Sequence, residues 1–203
     1  MKKRHGVGTL SDEFRKLVPE ELAKMLEHPV CSFHEGASNF DVKPKKSVTF
    51  TVDMRSGDAV NNLLHEICHF AAVPELRCGI MDFGFIYDAK YGYLMPRRNY
   101  TAILHEAEVF GRERNLARFF DVNQRIKGDA HRTLRDIPGY YNYLGRHPGE
   151  SDVEIEKLIA RFENRKSCRA EATLKTMQQR LDLLSREPWR IGRKRLPKTS
   201  ISG

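Results

Sequence analysis

Apolar positions recur along this chain with two periods, and their succession predicts a small α+β fold. Residues 47–54 place Val48, Phe50, Val52 and Met54 in alternation with polar residues. That two-residue period belongs to a half-buried strand. Ser56, Gly57 and Asp58 follow as a turn that also offers N-caps. From about residue 58 to 72, Val60, Leu64, Ile67 and Ala71 recur at three- and four-residue spacing, a helix that Pro74 ends. Residues 10–28 read as two short helices, the second prepared by Pro19 with Glu20 and Glu21 in its first turn. Residues 29–47, with Pro29, Gly36, Asn39 and Pro44, read as loop, and residues 80–87 as a second strand. Residues 101–120 are apolar nearly all round a helix, which predicts burial and makes every acidic residue there expensive. Beyond residue 120 the pattern loosens. Ser151-Asp152-Val153-Glu154 is a capping box opening a helix to about 165. Leu174, Met177, Leu181 and Leu184 form the stripe of a last helix stopped by Pro188.

The expected architecture is a small sheet packed against two helices, those of residues 58–72 and 101–120. Residues 1–120 would form the core domain and residues 121–203 a helical extension packed on it, with a flexible tail from about 190.

Composition narrows the class of protein. With 203 residues, 40% hydrophobic and 31% charged, the chain is ordinary globular material. No apolar run is long enough to predict a membrane span, and the basic N-terminal stretch lacks the apolar segment of a secretory signal. The four cysteines, Cys31, Cys68, Cys78 and Cys168, form no C-x-x-C pair. They read as small buried hydrophobes of a reduced, cytoplasmic protein rather than as a disulfide framework. The net charge of +8 is uneven: residues 121–203 carry 18 basic and 11 acidic side chains, whereas residues 1–120 carry 17 and 16. The basic region is expected to attract an acidic protein or a nucleic-acid or ribosomal surface.

Candidate chemistry is concentrated in His65-Glu66-Ile67-Cys68-His69, an H-E-x-x-H pattern inside the 58–72 helix. Residues four apart lie on one helical face, so both imidazoles can bind one metal ion, and Glu66 can reach a metal-bound water as a general base. Two histidines leave a divalent metal short of ligands. His105, Glu106 and Glu108 on the buried 101–120 helix are the candidates for a third. Glu106 and Glu108 point about 200° apart around a helix, so at most one faces the histidines. Ala107, Phe110 and Ala117 cluster about the direction of Glu106 and favour it slightly, with His105 beside the metal or at the surface. Asp82-Phe83-Gly84 lies on the second predicted strand, where a glycine permits close backbone approach and Asp82 would support the centre.

His-Glu-Ile-Cys-His-Phe, then Asp-Phe-Gly-Phe-Ile-Tyr starting thirteen residues after His69, then His-Glu-Ala-Glu-Val on the next helix, resemble the elongation factor P hydroxylase family. The resemblance covers roughly residues 45–120. It implies an iron- and O₂-dependent hydroxylase whose substrate is the modified lysine of elongation factor P. It implies the ligands His65, His69 and Glu108, because Glu108-Val109 falls on the family's Val-Glu-Val segment. The Lys-Pro-Gln that follows in the family is replaced here by Phe110-Gly111-Arg112.

Two enzymatic readings therefore stand, a hydroxylase using Fe²⁺ and a zinc metallopeptidase using Zn²⁺ with Glu66 as general base. A third, a basic adaptor with a structural metal, would want four protein ligands, and the sequence offers three.

Overall fold

The fold is α+β. The computed structural model describes residues 10–36, 39–43, 47–54, 56–73, 96–123, 130–131, 134 and 148–186, the backbone alone for 39–43, 96–102 and 148–151. Two short helices, α1 (Asp12–Arg15) and α2 (Glu20–Leu26), lead into three strands, β1 (Cys31–Glu35), β2 (Asn39–Lys43) and β3 (Ser47–Val52). Then come α3 (Ala59–Ala72), α4 (Pro96–Phe119), α5 (Pro148–Glu163), a 3₁₀ turn (Lys166–Cys168) and α6 (Ala170–Ser185). Among the described residues, no helix is long and apolar enough to cross a membrane.

The strand expected at 47–54 is β3, and it is the central strand of a sheet ordered β1-β3-β2. β1 runs parallel to it, with Phe33 opposite Phe50, and β2 antiparallel, with Phe40 opposite Phe50. The loop expected at 29–47 is thus corrected: it contains two strands. Proline, glycine and asparagine mark the ends of β1 and β2 rather than a continuous loop, and strands this short give a two-residue period little room to show. Val48, Phe50 and Val52 are fully buried on one side, while Thr49 on the other shares a 2.7 Å hydroxyl hydrogen bond with Ser32. Pairing those two hydroxyls removes the penalty of burying either alone.

Phe50 sets the rotation of α3. Its ring stacks on Phe33 (centroids 5.9 Å apart) and meets the edge of Phe70 at 5.8 Å, so Phe70 is drawn down onto the sheet. Leu63, Leu64, Ile67 and Phe70 are buried. Residues four apart on α3 share a face roughly a quarter-turn away from Phe70, and that face carries His65 and His69 toward α4.

α4 begins at Pro96, five residues earlier than the pattern suggested, and separates two apolar clusters. On one side Val109, Leu116 and Ala117 join the sheet, α3 and α6. On the other, Ile103, Ala107 and Phe110 pack against Ile155, Leu158, Ile159 and Phe162 of α5 and against Ala130 and Leu134. The stripe predicted for the last helix, Leu174, Met177, Leu181 and Leu184, is buried in the first cluster. α4 ends in a Schellman arrangement: the Val122 and Asp121 amides donate to the Ala117 and Arg118 carbonyls, with Asp121 at φ 54°. An aspartate in that conformation gives a sequence reader no glycine to stop at. The strand expected at 80–87 and the tail beyond residue 190 lie outside the described residues.

Candidate metal centre

α3 and α4 pack side by side, and their contact brings three donors together. Among the described residues, the group of side chains able to hold one cation is His65, His69 and Glu106, whose donor atoms all lie within 4.8 Å of one another. His65 Nε2 is 3.1 Å from Glu106 Oε1, His69 Nε2 is 3.2 Å from Glu106 Oε2, and the two Nε2 atoms are 3.1 Å apart. Ligand bonds of about 2.0–2.2 Å place neighbouring donors on a metal roughly 3.0–3.5 Å from each other, so these spacings match a shared ion. The Glu106 side chain is only 1% exposed, and neither of its buried oxygens receives a well-directed hydrogen bond. A carboxylate in that condition needs positive charge beside it, from a protonated histidine or from a metal ion.

The other ring nitrogen of His65 shows which of its tautomers prevails. His65 Nδ1 lies 2.7 Å from Glu113 Oε2, and a carboxylate can only accept, so Nδ1–H donates and Nε2 keeps a lone pair when the ring is neutral. His69 Nδ1 lies 3.1 Å from His105 Nε2 and meets its Nε2 partners from the opposite edge of the ring. Phe110 covers His65 at 4.8 Å between centroids and keeps water from that side.

The charge balance gives a pH expectation. Burial by itself lowers the His65 group, but the adjacent negative charges of Glu106 and Glu113, and the Nδ1–H donated to Glu113, outweigh it and carry the group up to about 10. Burial pushes the Glu106 carboxyl up, and the opposing charges of His69 and His65 bring it well below the ordinary carboxylate range. In metal-free protein, the His65 contribution to stability is complete below its ordinary value of 6.5 and is lost as pH rises through about 10. The Glu106 contribution is present above its ordinary 4.5 and is lost as pH falls. Adding a divalent metal near pH 8 should then expel about one proton per chain from His65. Indicator-dye titration in weak buffer measures this, and metal uptake with no proton release would contradict it.

Not every residue singled out in the sequence arrives here. Glu108, which the resemblance implies as third ligand, is not among the three converging donors, and Glu106 stands in that place. Glu108 points away and accepts from Arg112 Nε at 3.0 Å and Nη2 at 2.6 Å. Arg112 also donates to the Ser167 carbonyl and the Thr173 hydroxyl, so Glu108 balances a buried guanidinium that ties α4 to the C-terminal helix. Glu66 is buried on α3 but stands outside the three converging donors. His105 lies behind His69, whereas Asp82 and the Asp-Phe-Gly segment fall outside the described residues. Cys68 and Cys168 are buried and free, and Cys31 is half-buried and free.

One residue escaped the sequence argument. Glu113, beyond the 105–108 segment, is buried and holds His65. The signal was present: Glu113 follows Glu106 by seven residues, two helical turns, and so lies on the same face. Comparison with family models, with curated proteins and with solved structures returns no match.

Proposed function

We propose that the chain is a metal-dependent enzyme centred on His65, His69 and Glu106, and that it is an iron- and O₂-dependent hydroxylase of a lysine-bearing protein. Convergence of two imidazoles and one carboxylate from two helices carries this reading. Two histidines and one carboxylate on one face of a metal leave positions open, the arrangement non-heme ferrous oxygenases use. A ferrous ion held there would supply the activation of O₂. The residues of the chain have separate tasks: Glu106 brings negative charge to a dry site, Glu113 and His105 fix the two rings, and Phe110 excludes water from beside His65.

The resemblance to elongation factor P hydroxylases supports an acidic protein substrate such as elongation factor P. The basic excess after residue 120 supports docking of that protein, or of a ribosomal RNA surface, in the cytoplasm. Replacing Glu108 by Glu106 in the ligand set leaves the two-histidine, one-carboxylate chemistry intact.

The zinc metallopeptidase reading is retained because two histidines and a glutamate also form a catalytic zinc set, and Glu66 stands buried beside His65 as the base it would require. Mass spectrometry separates the two. Elongation factor P incubated with the Fe²⁺-loaded protein, O₂ and a two-electron reductant such as ascorbate should gain the mass of one oxygen atom on lysine, the second oxygen leaving as water, and Zn²⁺ should inhibit. Glu66→Gln should keep its metal and measurable activity. Peptide cleavage by the Zn²⁺ form that falls about 10²–10⁴-fold in Glu66→Gln, with no oxygen added by the Fe²⁺ form, would replace the hydroxylase by the peptidase.

A further inference from the structure

We propose that Glu113 is the charge-bearing positioning residue of the metal centre: acting through His65, it brings negative charge behind a metal-ligating ring and so favours a divalent cation. The inference rests on the reading of His65, His69 and Glu106 as metal ligands and goes beyond it.

The two histidines are not supported alike. His69 is backed by another imidazole, with His105 Nε2 3.1 Å from its Nδ1. His65 is backed by a carboxylate at 2.7 Å, within the range of a charge-assisted hydrogen bond. The Glu113 side chain is 4% exposed, so its charge is poorly screened by water and must be balanced inside the protein. With neutral histidines, Glu106 and Glu113 both bring negative charge to the contact between α3 and α4, where Glu66 is buried as well. A divalent ion offsets more of that charge than a monovalent one.

Glu113 has two further effects. Its acceptor oxygen fixes the Nδ1–H tautomer of His65 and so directs the Nε2 lone pair at the metal. Its charge draws electron density into the ring and makes His65 the stronger donor of the pair. Glu113 sits two turns along from Glu106 on the same rigid helix, so ligand and support move as one body. His105 holds the His69 ring from behind but carries no negative charge for the second of these tasks. The Glu113 contribution should therefore exceed that of His105.

The test measures affinity for Zn²⁺ and Co²⁺ by competition with a chromophoric chelator on the full chain, with thermal unfolding of each metal-free variant as a check on folding. Glu113→Gln keeps an acceptor for His65 and removes the charge. It should weaken metal binding about 10–100-fold and alter the visible spectrum of the Co²⁺ form. Glu113→Ala, which also loses the acceptor, should fall at or beyond the upper end of that range. His105→Ala should lose less than either, and Glu108→Gln should bind as the natural protein does. If Glu113→Gln is folded and binds metal with unchanged affinity and spectrum, while His65→Ala and His69→Ala abolish binding, the role of Glu113 is refuted and the metal centre stands. If the natural protein binds neither ion, the ligand reading fails, and this inference fails with it.

Discussion

Glu106→Ala should strip the protein of its metal, whereas Glu108→Ala should leave metal content unchanged and reduce stability instead. The two glutamates are two residues apart on α4, and their surroundings are opposite. Glu106 faces the Nε2 atoms of both histidines at 3.1 and 3.2 Å, whereas Glu108 accepts two hydrogen bonds from Arg112. Losing an outer partner of a metal ligand costs about 10–100-fold in affinity, and losing a ligand itself should cost more than that. Removing Glu108 instead strands a guanidinium whose side chain is 7% exposed. Breaking a fully buried pair costs about 3–5 kcal/mol. Glu108 is partly exposed and Arg112 keeps its bonds to Ser167 and Thr173, so the loss should fall below that range. Metal analysis after purification, set beside thermal unfolding, reads both halves. Metal loss in the Glu108 variant with retention in the Glu106 variant would restore the ligand set the resemblance implied.

The second large effect is expected at Gly111. α4 and α5 approach so closely that a Cβ built on Gly111 would lie 2.8 Å from the Glu163 backbone nitrogen and 3.0 Å from Phe162 Cβ. The backbone of α5 cannot swing aside as a flexible side chain would. Alanine gains roughly 1 kcal/mol of helix propensity over glycine, and overpacking a well-filled contact costs about 1–3 kcal/mol. Contact with backbone puts this site toward the upper end, so the strain wins. Gly111→Ala should be destabilised on balance, and Gly111→Leu far more. Gly57 is the control: nothing lies within 4 Å of its Cβ position, so Gly57→Ala should be neutral or gain up to about 1 kcal/mol. Chemical denaturation compares the three, and a Gly111→Ala protein as stable as the natural one would show that α5 can yield. Because Phe110 precedes Gly111 and covers His65, any shift of α4 at this point should also reach the metal centre.

The sequence by itself determined the local parts of this protein. The H-E-x-x-H spacing places two imidazoles on one face of any helix it forms. The two-residue period of β3 and the stripe of α6 each need only a single buried surface, and each is found where its period predicted. Such features depend on neighbours a few residues away, so one dimension suffices to read them. Which glutamate meets the histidines was a question of another kind. Glu106 and Glu108 are chemically identical and close in sequence, and both lie on a helix that packs against neighbours on most of its sides, so periodicity separated them only weakly. The rotation of α4 decides between them, and that rotation is fixed by contacts far away in the chain. Arg112 is held by Ser167 and Thr173, Gly111 lets Phe162 and Glu163 come close, and Phe50 holds Phe70 and so turns α3 toward α4. The same contacts bring Glu113 to His65. Only the packing of α4 against α3, α5 and α6 turns one carboxylate to the two histidines and its neighbour to an arginine, because a buried charge needs an opposite charge beside it.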